Sequence, residues 1–275
     1  RSFTAFQAAV ATVSGKVQFA LKANSTLGVI ALLTRCGAGA DIVSAGELAR
    51  ALAAGIAAKD VVFSGVGKNP ADIRTALEAG IGQINAESDQ EVAQISDIAA
   101  AMGIVAPVAL RVNVDVDAGS HAKISTGQRS TKFGISTNQG EAASLYATID
   151  ADPHIKPMGL AVHIGSQICD LAPFELAYAA LLNIANGLRA RGLDVPCLDL
   201  GGGVGVDYQW ASDTDFSAYG AMVTRLFKNS GFAFSFEPGR SIAANNGALL
   251  TEVIYVKQGD NKRFIIVDAA MNDLI

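Results

Sequence analysis

Cysteine is scarce in this sequence, and the scarcity excludes a good deal. Cys36, Cys169 and Cys197 stand far apart, show no CxxC spacing and are an odd number that cannot all pair within the chain. No disulfide framework or cysteine-built zinc site is expected, and reduced thiols fit a cytoplasmic protein. Histidine is equally rare. His121, His154 and His163 lack metal-ligand spacing, and there is no HExxH, so no metal site is expected. Positive charge is also short, with 21 Lys and Arg against 26 Asp and Glu and a net charge of -5. Nothing here offers a basic footprint to nucleic acid or to an anionic membrane surface. No apolar run reaches the roughly 20 residues of a membrane span, and the N-terminus lacks a basic-then-apolar signal pattern. Small-molecule chemistry is the class left standing.

What the chain has is apolar mass: half of its 275 residues are hydrophobic and 17% are charged, enough to bury a large core. Short β-rich runs recur at Val17–Leu21, Ala40–Val43, Val61–Ser64, Gln83–Asn85, Val108–Val112, Gly159–Ile164, Cys197–Leu200 and Ala233–Phe236. Between them the apolar spacing predicts helices over Ala45–Ala54, Pro70–Ala79, Asp89–Met102, Gln139–Ile149, Pro173–Arg191 and Phe216–Lys228. Glycines at 55, 80, 103 and 192 supply stops for four of these helices. Eight strands alternating with helices predict an α/β fold, a (β/α)8 TIM-type barrel over residues 1–248. Beyond it, Leu249–Lys257 and Phe264–Val267 read as two strands joined by a turn at Gln258–Asn261, so residues 249–275 are expected to begin a C-terminal β-domain.

In such a barrel, chemistry sits at the carboxyl ends of the strands. The residues at those ends are strongly polar here. They run Lys22 and Asn24, Asp41 and Ser44, Ser64 with Lys68, Asn85 and Glu87, Arg111 and Asn113, His163 with Ser166 and Gln167, Gly201–Gly203, and Glu237 with Arg240. Taken singly, each has a plain reading: a strand-end lysine snorkels or pairs, a glycine run is a turn, and Glu237 with Arg240 forms a surface ion pair. Taken jointly, they supply a desolvated amine for a carbonyl, bare backbone for a phosphate, and a carboxylate and a guanidinium at a rigid Pro-Gly turn. Those are the parts of a pyridoxal 5'-phosphate site. Two other phosphate motifs fail. Val206 stands where GxGxxG needs its last glycine, and Val62 and Asn69 break the Walker pattern that ends at Gly67-Lys68.

The ordered set FALKAN (19–24), DIVSAGEL (41–48), VFSGVGK (62–68), RVN (111–113), HAKISTG (121–127), KFG (132–134), HIGSQ (163–167), LDLGGG (198–203), EPGRSI (237–242) and DAAMND (268–273) resembles the diaminopimelate decarboxylases, of the alanine-racemase-like barrel class. The resemblance covers nearly the whole chain. It implies decarboxylation of meso-diaminopimelate to L-lysine and CO2, with pyridoxal 5'-phosphate held by Lys22 as a Schiff base and His163 stacked on its ring. It further implies that Gly201, Gly202, Gly203, Gly239 and Arg240 take up the phosphate with help from Ser166, that Glu237 faces the ring nitrogen, and that Arg240 also meets a substrate carboxylate. Asp41 and Arg111 are placed near the ring. An amino-acid substrate and a homodimer of the full-length protein are implied as well.

The first residue is Arg1 and the last stretch ends in apolar sequence, so the chain is expected to be an excerpt. The family completes its site with cysteine, carboxylate and tyrosine residues of the C-terminal β-domain, and Cys36, Cys169 and Cys197 do not stand in that motif. The excerpt is expected to be inactive by itself. Three alternatives remain open: a related basic amino-acid decarboxylase, an amino-acid racemase, and a non-catalytic pyridoxal-phosphate-binding protein of the same barrel class. Against the racemase, Lys22 is followed by Asn24-Ser25 and not by the Tyr-Gly-His run such racemases resemble; against the carrier, Leu249–Ile275 reads as the start of a β-domain.

Overall fold

Eight short strands close on themselves in a ring. They are β1 (Lys16–Ala20), β2 (Gly39–Ile42), β3 (Val61–Phe63), β4 (Gln83–Ala86), β5 (Ala106–Asn113), β7 (Ile155–Ala161), β8 (Cys197–Asp199) and β9 (Ala233–Phe236), with a two-residue β6 (Ile135–Ser136) added beside β5. All of these pairings are parallel; the order runs β4-β3-β2-β1-β9-β8-β7-β5, and pairing of β4 with β5 closes the barrel. The computed structural model describes residues 1–117, 132–137, 140–208 and 215–273. The HAKISTG stretch at 121–127 lies outside the described residues.

The strands are buried on both faces, as parallel strands under helical crossovers must be, which is why they read as continuous apolar runs. Local chemistry fixes the crossovers. In α4 (Pro70–Ala79), the Asn69 side chain accepts from the amides of Ala71 and Asp72, Pro70 opens the first turn, and Gly80 closes the helix in the left-handed region. In α5 (Asp89–Met102), Ser88 caps the start and Gly103 the end. The other helices are α1 (Ser2–Val10), α2 (Leu27–Arg35), α3 (Ala45–Ala53), α6 (Glu141–Ala151), α7 (Ala172–Ala190), α8 (Ser217–Phe227) and the one-turn α9 (Arg240–Ala243). Among the described residues no helix is long and apolar enough to cross a membrane.

Several boundaries differ from those expected. Strand β7 begins at Ile155, four residues before the predicted Gly159, because Pro157 masks its start; Pro157 sits where the β5–β7 register shifts between Val108 and Ala109. Gly159 itself is required there: its φ is +120°, and a Cβ would stand 1.8 Å from the Cys197 carbonyl oxygen. Helix α6 starts at Glu141, residues 138–139 lying outside the described part.

The core runs round the barrel and under the helices. On one side α1, α7 and α8 bury an aromatic cluster in which Phe6 meets Phe216 edge-on at 5.1 Å and Phe236 at 5.9 Å. By contact, the chain divides into two units, residues 1–244 and 245–275. The second is an antiparallel hairpin of β10 (Val253–Gln258) and β11 (Arg263–Val267), turned where the Gly259 amide donates to the Lys262 carbonyl. The two strands overlap the two expected ones but each runs one residue beyond its expected bound on the turn side, to Gln258 and from Arg263, and Leu250, Ile254, Tyr255 and Ile265 of this unit are exposed.

Candidate functional site

Barrel register brings the expected residues to one rim. Ala20 is aligned with Asp41, so the turn that follows β1 carries Lys22 over the carboxylate at the end of β2. The Lys22 Nζ donates to Asp41 Oδ2 at 2.7 Å. Asp41 is fully buried, and its other oxygen, Oδ1, has no hydrogen-bond partner. Lys22 is only partly desolvated, less than its strand-end position suggests: 48% of its side chain remains accessible. Burial works against its charge, but Asp41, then Glu237, outweigh that and hold the ammonium above its ordinary range.

The Glu237–Arg240 turn packs directly behind this lysine. The Ala20 amide donates to the Pro238 carbonyl at 3.1 Å, and a Cβ on Gly239 would stand 3.0 Å from Ala20 and 3.2 Å from Ala23. The triple-glycine bend lies on the other side of that turn. The Glu237 amide donates to the Gly201 carbonyl at 2.7 Å, and a Cβ on Gly202 would meet the Glu237 carbonyl oxygen at 2.2 Å. Close backbone approach therefore demands glycine at 202, while Gly201 needs it for a φ of +65° as well. Two of the three glycine amides are committed internally: Gly201 donates to Asp199 Oδ1 at 3.0 Å and Gly202 to His163 Nδ1 at 3.1 Å.

That second bond fixes the histidine. With Nδ1 accepting, His163 is a neutral imidazole, and burial together with the nearby Arg111 and Lys22 charges keeps its pKa well below the usual value. The Arg111 Nη2 reaches the His163 carbonyl at 3.4 Å. On the outer side Arg240 Nε donates to Ser166 Oγ at 3.2 Å, and its Nη1 donates to the hydroxyl of Tyr208. Every residue expected at the site is thus tied into one contiguous rim: Lys22, Asp41, Arg111, His163, Ser166, Gly201, Gly202, Gly203, Glu237, Gly239 and Arg240, with Gly203 joined through its carbonyl to the Ile168 amide at 3.0 Å.

Below the rim the barrel interior is polar. Glu237 Oε1 accepts from Ser64 Oγ and from Asn85 Nδ2, each at 3.2 Å, and Asn85 also reaches Asp199 Oδ2 at 3.4 Å. Gln83 completes the cluster, donating to Asn85 Oδ1 at 2.8 Å and to Asp199 at 3.3 Å. Burial and then repulsion from Asp199 and Asp41 push the Glu237 carboxyl well above its ordinary range, so this buried acid takes up a proton more readily than a free glutamate does. Sequence reasoning missed Asp199, although it lies inside the LDLGGG stretch, and also missed Tyr208. A carboxylate two residues before a glycine bend was the available signal for Asp199, since such a side chain caps the bend's amide.

Residues 1–244 match the family described as pyridoxal-dependent decarboxylase, pyridoxal binding domain. The chain is 47% identical over 261 residues to a diaminopimelate decarboxylase of Zymomonas mobilis, covering 94% of this chain and 62% of that protein. It is also 47% identical over 273 residues to the Pseudomonas aeruginosa protein of the same name, covering 99% and 65%. The crystal structure of diaminopimelate decarboxylase from Helicobacter pylori complexed with L-lysine superposes with a TM-score of 0.90 at 38% identity, over 98% of this chain and 70% of that one. The chain therefore spans just under two thirds of the length of the first two curated relatives. On the strength of the 1–244 match and of these relatives, the chain belongs to the pyridoxal-dependent decarboxylases and carries their pyridoxal-binding barrel.

Proposed function

We propose that the protein decarboxylates meso-diaminopimelate to L-lysine and CO2, with pyridoxal 5'-phosphate attached to Lys22. The observation that carries this reading is the convergence, from separate strands, of an amine, a neutral imidazole, a deeply buried acid and an arginine on one mouth. Its first curated relatives bear the name of that decarboxylase, and a solved relative holds L-lysine, the product of the proposed reaction.

The residues fit the cofactor. Asp41 Oδ1 is a buried acceptor lacking a donor, on the carboxylate that pairs with Lys22, and Glu237 is an acid retained deep in the barrel that would serve as a partner for a ring nitrogen. When bound, pyridoxal phosphate supplies an aldehyde for an amine and a ring that accepts the electron pair left by departing CO2. The chain's own groups do the rest. Lys22 must give up a proton to become nucleophilic, and Asp41, 2.7 Å away, is placed to hold it. Glu237 would be the residue that pairs with the ring nitrogen, and as a carboxylate it would favour positive charge there. His163 presents a flat uncharged face that Gly202 locks in orientation. Arg240, braced by Ser166 and Tyr208, would meet anionic oxygens of the phosphate or the substrate.

We read residues 249–275 as the beginning of a C-terminal β-domain, a reading supported by the separate contact unit 245–275 and by the exposed apolar side chains of its hairpin. The same resemblance supports a homodimer of the full-length protein and a cytoplasmic location. The test is product analysis on the full-length protein with a panel of diamino acids. Release of CO2 and L-lysine from meso-diaminopimelate is expected; inversion at the α-carbon without CO2, or no reaction, contradicts the proposal.

A further inference from the structure

A second set of charges lies beside the site, and neither the resemblance nor the proposed reaction gives its members Glu87, Glu91 and Lys68 a role. Glu87, just past the end of β4, has a side chain only 2% accessible. Its two oxygens accept from three segments that are far apart in the chain. Oε1 takes Arg111 Nη1 at 2.9 Å and the Gly65 amide at 3.0 Å, and Oε2 takes the Gly134 amide at 3.1 Å. Its own backbone is pinned from behind, because the Glu87 amide donates to Glu91 Oε2 at 2.7 Å while Glu91 Oε1 holds Lys68 Nζ at 2.7 Å. Lys68 in turn donates to the carbonyls of Gly65 at 2.6 Å and Asn85 at 2.8 Å.

We infer that Glu87 is a positioning residue of this site: its carboxylate latches Arg111 and the Phe133–Gly134 turn to the barrel rim and so sets where the guanidinium lies relative to Lys22 and His163. The inference rests on the reading of this mouth as the cofactor site. Arg111 reaches His163 only through a long 3.4 Å bond and lies 5.1 Å from the Phe133 ring centroid, both weaker restraints than a buried charged pair. Gly134 is held close as well, with a φ of +71° and space for a Cβ only 3.1 Å from the Asn113 amide nitrogen. The charge matters besides the geometry. Arg111 lies near enough to Lys22 and His163 to disfavour a proton on either, and the Glu87 carboxylate is paired with that guanidinium at 2.9 Å. Asp41, Glu237 and Glu47 also act on Lys22 among the described residues, and Lys22 acts on His163.

A glutamine at 87 keeps the shape but presents one acceptor oxygen and an NH2 group to three N–H donors, so part of the latch must open. The test uses the full-length protein reconstituted with pyridoxal 5'-phosphate, comparing wild type with Glu87→Gln. Hydrogen exchange at the Gly65 and Gly134 amides should quicken about tenfold or more, as the loss of a charge-assisted bond implies, with helix α7 unchanged. The pH midpoint of the lysine-bound cofactor's absorption band should move down, because the Arg111 charge is no longer balanced; a merely structural role would leave that midpoint in place. Unchanged exchange at both amides, or an unmoved midpoint, overturns the latch. If Glu87→Gln does not fold, Arg111→Gln decides: the carboxylate remains, so Gly65 and Gly134 should stay protected, and their loss of protection refutes it. Failure of the cofactor reading shows separately, as a wild-type protein with no lysine-bound absorption band, and the exchange measurement still judges the latch.

Discussion

Two buried polar clusters lie side by side at the carboxyl end of the barrel, and they are built on opposite electrostatic plans. The first contains Lys68, Glu91, Glu87 and Arg111: two cations and two anions, linked at 2.7 to 2.9 Å and further bonded to backbone. The second contains Asp41, Asp199 and Glu237, three carboxyl groups with Lys22 as the cation that faces them, and Lys22 is half exposed. The balanced cluster satisfies its charges within the protein. The acid-rich one does not: Asp41 keeps an orphaned oxygen, and Glu237 is driven to hold a proton. Charge balance marks the first as frame, and imbalance marks the second as a place prepared for a proton-accepting ligand.

The largest effect should come from unbalancing the frame. Lys68→Met leaves Glu91 buried without its cation, and breaking one side of a buried pair costs about 3 to 5 kcal/mol. Urea unfolding should show that loss, and Lys68→Met with Glu91→Leu should recover most of it. A single variant as stable as wild type would erase the distinction between the clusters.

Relieving the acid cluster should act in the other direction and more gently. Glu237 has its carboxyl raised in the folded state, so the folded protein binds the extra proton, and stability present below about pH 4.5 declines as pH rises toward the folded value. Glu237→Gln removes that decline. The cofactor-free variant should therefore be more stable than wild type at neutral pH, by about 1 to 3 kcal/mol, with the gap shrinking toward pH 4. Thermal melting across that range measures it, and a gap that grows on acidification would reverse the assignment. The smallest effect concerns thiols beyond both clusters. Cys36 and Cys169 are exposed, whereas burial, with Asp199 nearby, pushes the Cys197 thiol up to about 12. A maleimide should label the first two in the native protein and leave Cys197 unmodified, without loss of structure.

Much of this molecule could be read in advance, for identifiable reasons. The eight strands were legible because parallel strands buried on both faces become short apolar runs, and α4 and α5 because their caps are spelled out at Asn69, Gly80, Ser88 and Gly103. Helix α1 was not legible, since Arg1 makes no side-chain cap, and α2 is so apolar at Leu27–Arg35 that its period blurs. At the candidate site, the residues expected from the sequence sit in contiguous motifs at strand ends. Their supports do not. Asp199 meets Asn85 and Gln83 more than a hundred residues away, and Glu87 gathers Gly65, Arg111 and Gly134, partnerships that only the closed barrel creates.

The whole account turns on the amine opposite Asp41. Incubation with pyridoxal 5'-phosphate, borohydride reduction and peptide mass mapping should place a pyridoxyl group on Lys22, with Lys22→Ala unlabelled and its visible absorption gone. A label found on Lys68 or spread over surface lysines, with Lys22 unmodified, would contradict it.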